Sequence, residues 1–220
     1  MSLDLSLFRS YGPHLLHGLE LTVVVWLLGS ALGIVGGFVL GLALSLGRRA
    51  LSLPIRWYIE FFRGTPLLVQ LFIAYYGGPG IGIALDAFSV GVLGLALYGA
   101  AYFAEIFRAG FASVPPGQLE AARSFGMPRS ARVRRILLPQ MLVLVVPPIT
   151  NMLIILLKDT AILSIVTVPE LTFEVTGMSV ETFTFVEPFL TLALVYWGLT
   201  ELTAYCGRRA ELRFGAYLAG

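Results

Sequence analysis

The residues that could do chemistry in this chain are few, and they stand at the edges of long apolar runs. Lys158-Asp159-Thr160 follows an uncharged stretch over residues 136–157, and Lys158 is the only lysine. Asn151 lies eight residues, about two helical turns, before Asp159. A cation, a carboxylate and an amide so spaced suit a small zwitterion, with Lys158 taking its carboxylate and Asp159 and Asn151 its ammonium. The same residues also suit interfacial anchoring, Lys158 snorkelling and Asp159 capping the next turn. Glu105 and Arg108, three apart on one helix face, read as an ion pair or as part of an inner gate. Glu60 and Arg63 repeat that spacing and read as structural. Ionisable groups within apolar spans face a cavity or a partner. The substrate-path candidates are therefore Asn151, Lys158, Asp159, Thr160, Gln70 and Glu105.

Catalytic chemistry is not apparent. No G-x-x-x-x-G-K-[ST] stretch exists to cradle a nucleotide, so the chain is not expected to be a P-loop ATPase itself. His14 and His17 share a helical spacing, but the lone Cys206 is distant, and no metal site is expected. No cofactor is expected in this chain.

These residues are embedded in a chain of 220 residues that is 57% hydrophobic and only 13% charged, against roughly 25% charged in soluble domains. Mean hydropathy is +0.85. That much apolar surface cannot be hidden in water, so the expectation is one all-α integral membrane domain over residues 1–220. A spanning helix needs about 20 apolar residues. Five spans are expected, near residues 20–47, 57–78, 90–112, 136–157 and 187–207. Arg48, Arg49 and Arg56, then Arg123 to Arg135, then Arg208, Arg209 and Arg213 fall in alternate segments. By the positive-inside rule those segments are cytoplasmic, which puts the N-terminus outside and the C-terminus inside. The N-terminal stretch lacks the apolar core of a cleavable signal peptide.

Within the third basic segment, residues 114–135, Val114-Pro115-Pro116-Gly117 predicts a break. Residues 118–125 predict a short helix with Glu120 near its positive end. Gly126 permits a sharp turn, and Pro128 suits a helix start. Basic residues alone would make a solvated loop there. On the first span, Gly29, Gly33, Gly37 and Gly41 form a stripe for close helix approach, either within the chain or across a dimer. Pro147-Pro148 removes two backbone donors from the fourth span and predicts a kink.

Glu120-Ala121-Ala122, three residues, Gly126, nine residues, then Ile136, Leu138 and Pro139 resembles the EAA signature of prokaryotic ABC-transporter permeases. Residues 58–70, with Glu60-Phe61-Phe62-Arg63-Gly64-Thr65-Pro66 ending at Gln70, resemble the polar-amino-acid branch of importers for histidine, glutamine, arginine or opines. Residues 101–110 and 151–163 are similar to further stretches of that branch, with Ala161 where serine is usual and Met152 where an acid is frequent. The resemblance covers about residues 18–213. It implies a type I importer permease in a bacterial plasma membrane, with five helices and a cytoplasmic coupling helix–turn–helix between the third and fourth. Glu120, Ala121, Ala122, Gly126 and Arg129 would couple to an ATPase. It also implies partners: a cytoplasmic P-loop ATPase dimer that binds ATP and Mg, a second permease subunit (identical or sister), an extracytoplasmic solute-binding protein and membrane lipid. Nucleic acid is not among them. A polar amino acid is the expected solute, with an opine, amine or compatible solute as the alternative. An ion-driven secondary transporter is a remote alternative that leaves the EAA segment unexplained.

Overall fold

The computed structural model describes residues 7–46 and 49–215. Gly47 and Arg48, at the end of the first expected span and in its basic loop, lie outside the described residues. The described residues form helices without strands. Four continuous helical stretches are long and apolar enough to cross a bilayer. The first, α1 (Leu7–Ser45), has 39 residues and is about 58 Å long. It exceeds the roughly 30 Å hydrocarbon thickness, so one end projects. The second is α4 (Ala87–Ala112). The third runs unbroken over Arg129–Val166, through α6 (Arg129–Arg132), a π turn, α7 (Leu138–Asp159) and a closing 3₁₀ segment (Thr160–Val166). The fourth is α9 (Val186–Gly215).

The expected second span over 57–78 is not one helix. It divides into α2 (Arg49–Gly64) and α3 (Leu67–Phe72), followed by a π turn and a 3₁₀ turn ending at Ile81. Proline supplies no N–H and forces the residue before it out of the helical region, so Thr65-Pro66 ends α2. Pro66 sits at φ −63°, ψ 138°. The Gln70 amide nitrogen stitches the break, donating to the Phe62 carbonyl (3.0 Å), the Thr65 carbonyl (3.1 Å) and Thr65 Oγ1 (2.8 Å).

The glycine stripe is packed within the chain. A Cβ on Gly29 would stand 2.8 Å from Leu95 Cβ, and one on Gly41 2.7 Å from the Ala104 carbonyl oxygen. The stripe lets α1 lie directly on the small residues Ala96, Ala100 and Ala104 of α4, which removes the dimer alternative for these four glycines. Phe103, Leu95, Leu71, Met141, Leu156 and Val25 fill the core between α1, α3, α4 and α7. Trp26 Nε1 donates to the Leu153 carbonyl at 2.9 Å and pins α1 to α7. α9 joins through close contact between Gly207 and Thr150.

A polar knot joins the remaining parts. Glu170 is fully buried and caps α8 (Leu171–Thr182), its carboxylate accepting from the Phe173 N–H at 2.9 Å. Its other oxygen accepts from Tyr196 of α9 at 3.1 Å and from Thr22 of α1 at 3.4 Å. Thr22 Oγ1 also accepts from the Leu171 N–H at 3.0 Å. The Tyr196 hydroxyl lies 3.0 Å from Thr160 Oγ1.

Candidate functional site: a charged cavity and a basic helical turn

Two places concentrate polarity. The first is a cavity of about 500 Å³ lined by Arg63, Glu105, Arg108, Ser113, Leu144 and Pro148, among others. Arg108 donates from Nη2 and Nε to one Glu105 oxygen, at 2.7 and 2.9 Å. Arg63 does not close on Glu60 as the spacing had suggested. It lays its guanidinium 5.1 Å from the Tyr102 ring centre, a cation–π contact. The Tyr102 hydroxyl is 3.2 Å from that of Tyr98.

Helical spacing explains the alignment. Tyr98, Tyr102, Glu105 and Ala109 recur at intervals of three or four on α4 and share one face. On α7, Leu144, Pro148, Asn151, Ile155 and Asp159 do the same. α4 and α7 pack through their small and apolar residues, Gly99 against Leu156 and Gly110 against Val145 and Met141, and the cavity lies beside that contact, with Arg63 from the end of α2 on its wall. Pro148 leaves the Leu144 carbonyl without its helical donor, and both residues line the cavity. Freed backbone polarity at that depth is tolerated where it lines a cavity.

The substrate-path candidates therefore separate. Glu105 lines the cavity, and Asp159, half-buried, is not on its wall but shares the α7 face of Leu144 and Pro148. Asn151 and Lys158 are exposed on the same side of α7 or at its edge. Thr160 turns inward: it is fully buried, and its hydroxyl donates to the Leu157 carbonyl at 2.7 Å. It belongs to the Glu170 knot. Gln70 spends its amide nitrogen on the helix break, while its buried Oε1 has no protein partner. Arg63, Tyr98 and Tyr102 were missed as a unit. Aromatic residues on spans read first as packing, and only the three-dimensional register brings them together with Arg63.

The second place is α5 (Pro116–Ser124) and the turn after it. The helix begins two residues earlier than expected, with Pro116 at its first position. Glu120 consequently falls in mid-helix, and the first turn carries no acid. The dipole reading of Glu120 is corrected accordingly. Gly126 takes φ +71°. The Gly126 N–H donates to the Arg123 carbonyl and the Met127 N–H to the Ala122 carbonyl, both at 3.0 Å, a Schellman closure that suits glycine. Ala122 is buried, whereas Glu120, Ala121, Gly126 and Arg129 are exposed. Between them Phe125 stands 89% exposed, a large apolar side chain that sequence reading passed over. Gln140 Nε2 donates to Gln118 Oε1 at 2.7 Å and ties this unit to α7.

Glu201, unexplained by the sequence, lies 4.0 Å from Arg208, at the limit of an ion pair. His14 Nδ1 stands 3.8 Å from Glu174.

Residues 33–206 match the family described as the binding-protein-dependent transport system inner membrane component. The chain belongs to this family. The permease is similar to YckA of Bacillus subtilis (strain 168), a probable amino-acid ABC transporter permease protein, at 35% identity over 210 residues, 94% of this chain and 91% of that protein. It is similar to the arginine transport system permease protein ArtQ of the same organism, at 33% identity over 216 residues, 96% of this chain and 97% of that one. A crystal structure of an amino acid ABC transporter with histidines superposes with a TM-score of 0.87 at 34% identity, covering 97% of the permease and 100% of that chain. The inward-facing MetNI methionine ABC transporter shares the fold, with a TM-score of 0.77 at 21% identity over 91% of the permease and 96% of that chain.

Proposed function

We propose that the permease forms half of the translocation path of an ATP-driven importer for a polar amino acid or similar small zwitterion. One observation carries this reading: Arg63, Glu105 and Arg108 line a cavity between the spans, Arg63 leads on to Tyr102 and Tyr98, and Asp159 stands on the face of α7 that carries the cavity residues Leu144 and Pro148. A lipid-facing surface would exclude them. A path shared with a second permease, identical or sister, supplies the water and partners they need. Asp159 and Asn151 take the ammonium of the solute, and Lys158 its carboxylate. The amino-acid transport names of the relatives support the solute class.

The α2–α3 pair counts as one crossing, which makes five, with the N-terminus outside and the C-terminus cytoplasmic. The α5 turn then projects into the cytoplasm. Ala122 anchors it, while Glu120, Ala121, Phe125, Gly126 and Arg129 offer the docking surface for a P-loop ATPase dimer that binds and hydrolyses ATP. The permease itself does no covalent chemistry. An extracytoplasmic solute-binding protein delivers the solute to the opposite face.

The test is uptake of labelled amino acids into proteoliposomes that hold the assembled complex. Asp159→Asn and Glu105→Gln are expected to lower ATP-driven uptake at least about tenfold, the loss of one charge-assisted contact, without loss of assembly. Unchanged uptake in both variants would remove these residues from the path.

A further inference from the structure

On the side of α7 away from the charged cavity lies a groove of about 610 Å³ between α1, α7 and α9. Its wall includes Trp26, Ile149, Leu153, Leu199, Leu202 and Cys206. The volume falls within the roughly 300–1,000 Å³ range of small-molecule sites. Polar atoms on its wall are already satisfied. The Thr150 hydroxyl donates to the Val146 carbonyl at 3.0 Å, Thr203 to the Leu199 carbonyl at 2.8 Å, and the Trp26 N–H to the Leu153 carbonyl at 2.9 Å. The groove offers a ligand apolar contact alone.

Its charge is gathered at one end. The lining positions of α9 run from Leu199 to Ala210, about 16 Å at 1.5 Å per residue, which is half of the roughly 30 Å hydrocarbon thickness. Arg213 follows Ala210 by three residues and continues the same face. Arg209 flanks it, its guanidinium 5.1 Å from the Tyr205 ring centre. That face-on contact leaves the guanidinium N–H donors available to an anion. An apolar channel one leaflet long, ending in two arginines beside a tyrosine, has the polarity of a single acidic lipid.

Position on α7 selects lipid over a second permease. At about 100° per residue, Val146, Ile149, Thr150 and Leu153 point opposite to Leu144 and Pro148 of the charged cavity. If that cavity faces the partner across the path, as proposed above, the groove faces the bilayer.

We propose that the α1–α7–α9 groove is a binding site for an anionic phospholipid of the cytoplasmic leaflet, one acyl chain lying against Trp26 and Leu153 and the phosphate held by Arg209 and Arg213. The inference rests on the transport reading for its orientation.

Trp26 reports on occupancy directly. The assembled complex is placed in nanodiscs containing dibrominated phosphatidylglycerol or dibrominated phosphatidylcholine at equal mole fraction. Comparison of the Trp57→Phe/Trp197→Phe background with and without Trp26→Phe isolates the Trp26 signal, and a Trp197-only background reports the surrounding lipid. Phosphatidylglycerol is expected to quench Trp26 with a preference of roughly fivefold, above that seen at Trp197. The Arg209→Gln/Arg213→Gln variant is expected to remove the preference. Equal quenching by both lipids, or a preference that survives the arginine variant, overturns the site. Absence of quenching by either lipid overturns it too and makes the groove a protein contact. ATP-driven uptake by the same complex reconstituted into sealed proteoliposomes separates the two readings. Uptake without lipid selectivity removes only the lipid site, and selectivity without uptake removes the transport reading.

Discussion

The Tyr196 hydroxyl, on α9, donates a 3.1 Å hydrogen bond to the carboxylate of Glu170, the residue that caps α8. Through this pair the last long helix is tied to the short helix before it and, by way of Thr22, to the first. Burial pushes the Glu170 carboxyl up to about 7, against the hydrogen bonds that favour its charged form. Because its folded value lies above the ordinary 4.5, folding takes up a proton between the two. The stability contributed is fully present below about 4.5 and is lost as pH rises through about 7. Thermal denaturation in detergent is expected to show that decline in the native chain and a flatter pH profile in Glu170→Gln. Parallel profiles for the two would contradict the burial argument.

Phe125 is expected to act as an apolar knob. Its large exposed side chain stands in a polar turn, where a partner is the simplest cover. Phe125→Ala is expected to weaken ATPase association by an order of magnitude, about the loss of one buried aromatic contact, while leaving the melting temperature within a degree or two. Pull-down of a P-loop ATPase by the two forms measures it.

Gly126→Ala tests geometry rather than contact. A side chain at φ +71° costs about 1 kcal/mol, so the turn is strained while the charges of the segment are retained. ATP hydrolysis by the assembled complex is expected to respond less to solute in Gly126→Ala than in the native chain. Full coupling in the variant would show that the turn tolerates distortion.

Gly37→Leu tests the α1–α4 contact. A Cβ there already meets Phe103 and would stand 2.9 Å from the Ala104 nitrogen, so overpacking costs roughly 1–3 kcal/mol or more. Yield of monodisperse chain after detergent extraction is expected to fall sharply. Gly198→Leu, where a Cβ meets nothing within 4 Å, serves as the control.

What the sequence conveyed follows the range of each interaction. The Glu105–Arg108 pair, the Gly126 turn and the long apolar helices depend on neighbours within a turn or two, and their spacing displays them. The glycine stripe was legible as a close-packing surface, but a period of four does not say which helix it meets. Pro66 was in plain view, yet hydropathy ran through it, and only the Gln70 amide, reaching back to Phe62, shows how the break is stabilised. The Glu170 knot was invisible because Thr22 lies 148 residues away and Tyr196 26. Thr160 was assigned to the solute path by adjacency to Asp159, but one residue of helix turns it by 100° into the interior.

Purification of the permease from its native membrane in mild detergent, with mass spectrometry of its companions, decides whether it works with an ATPase. A P-loop ATPase at one copy per permease chain is expected, with ATP-driven uptake when that complex is reconstituted. A chain that emerges alone, binds no ATPase on reconstitution and moves solute on an ion gradient would contradict ATP-driven import.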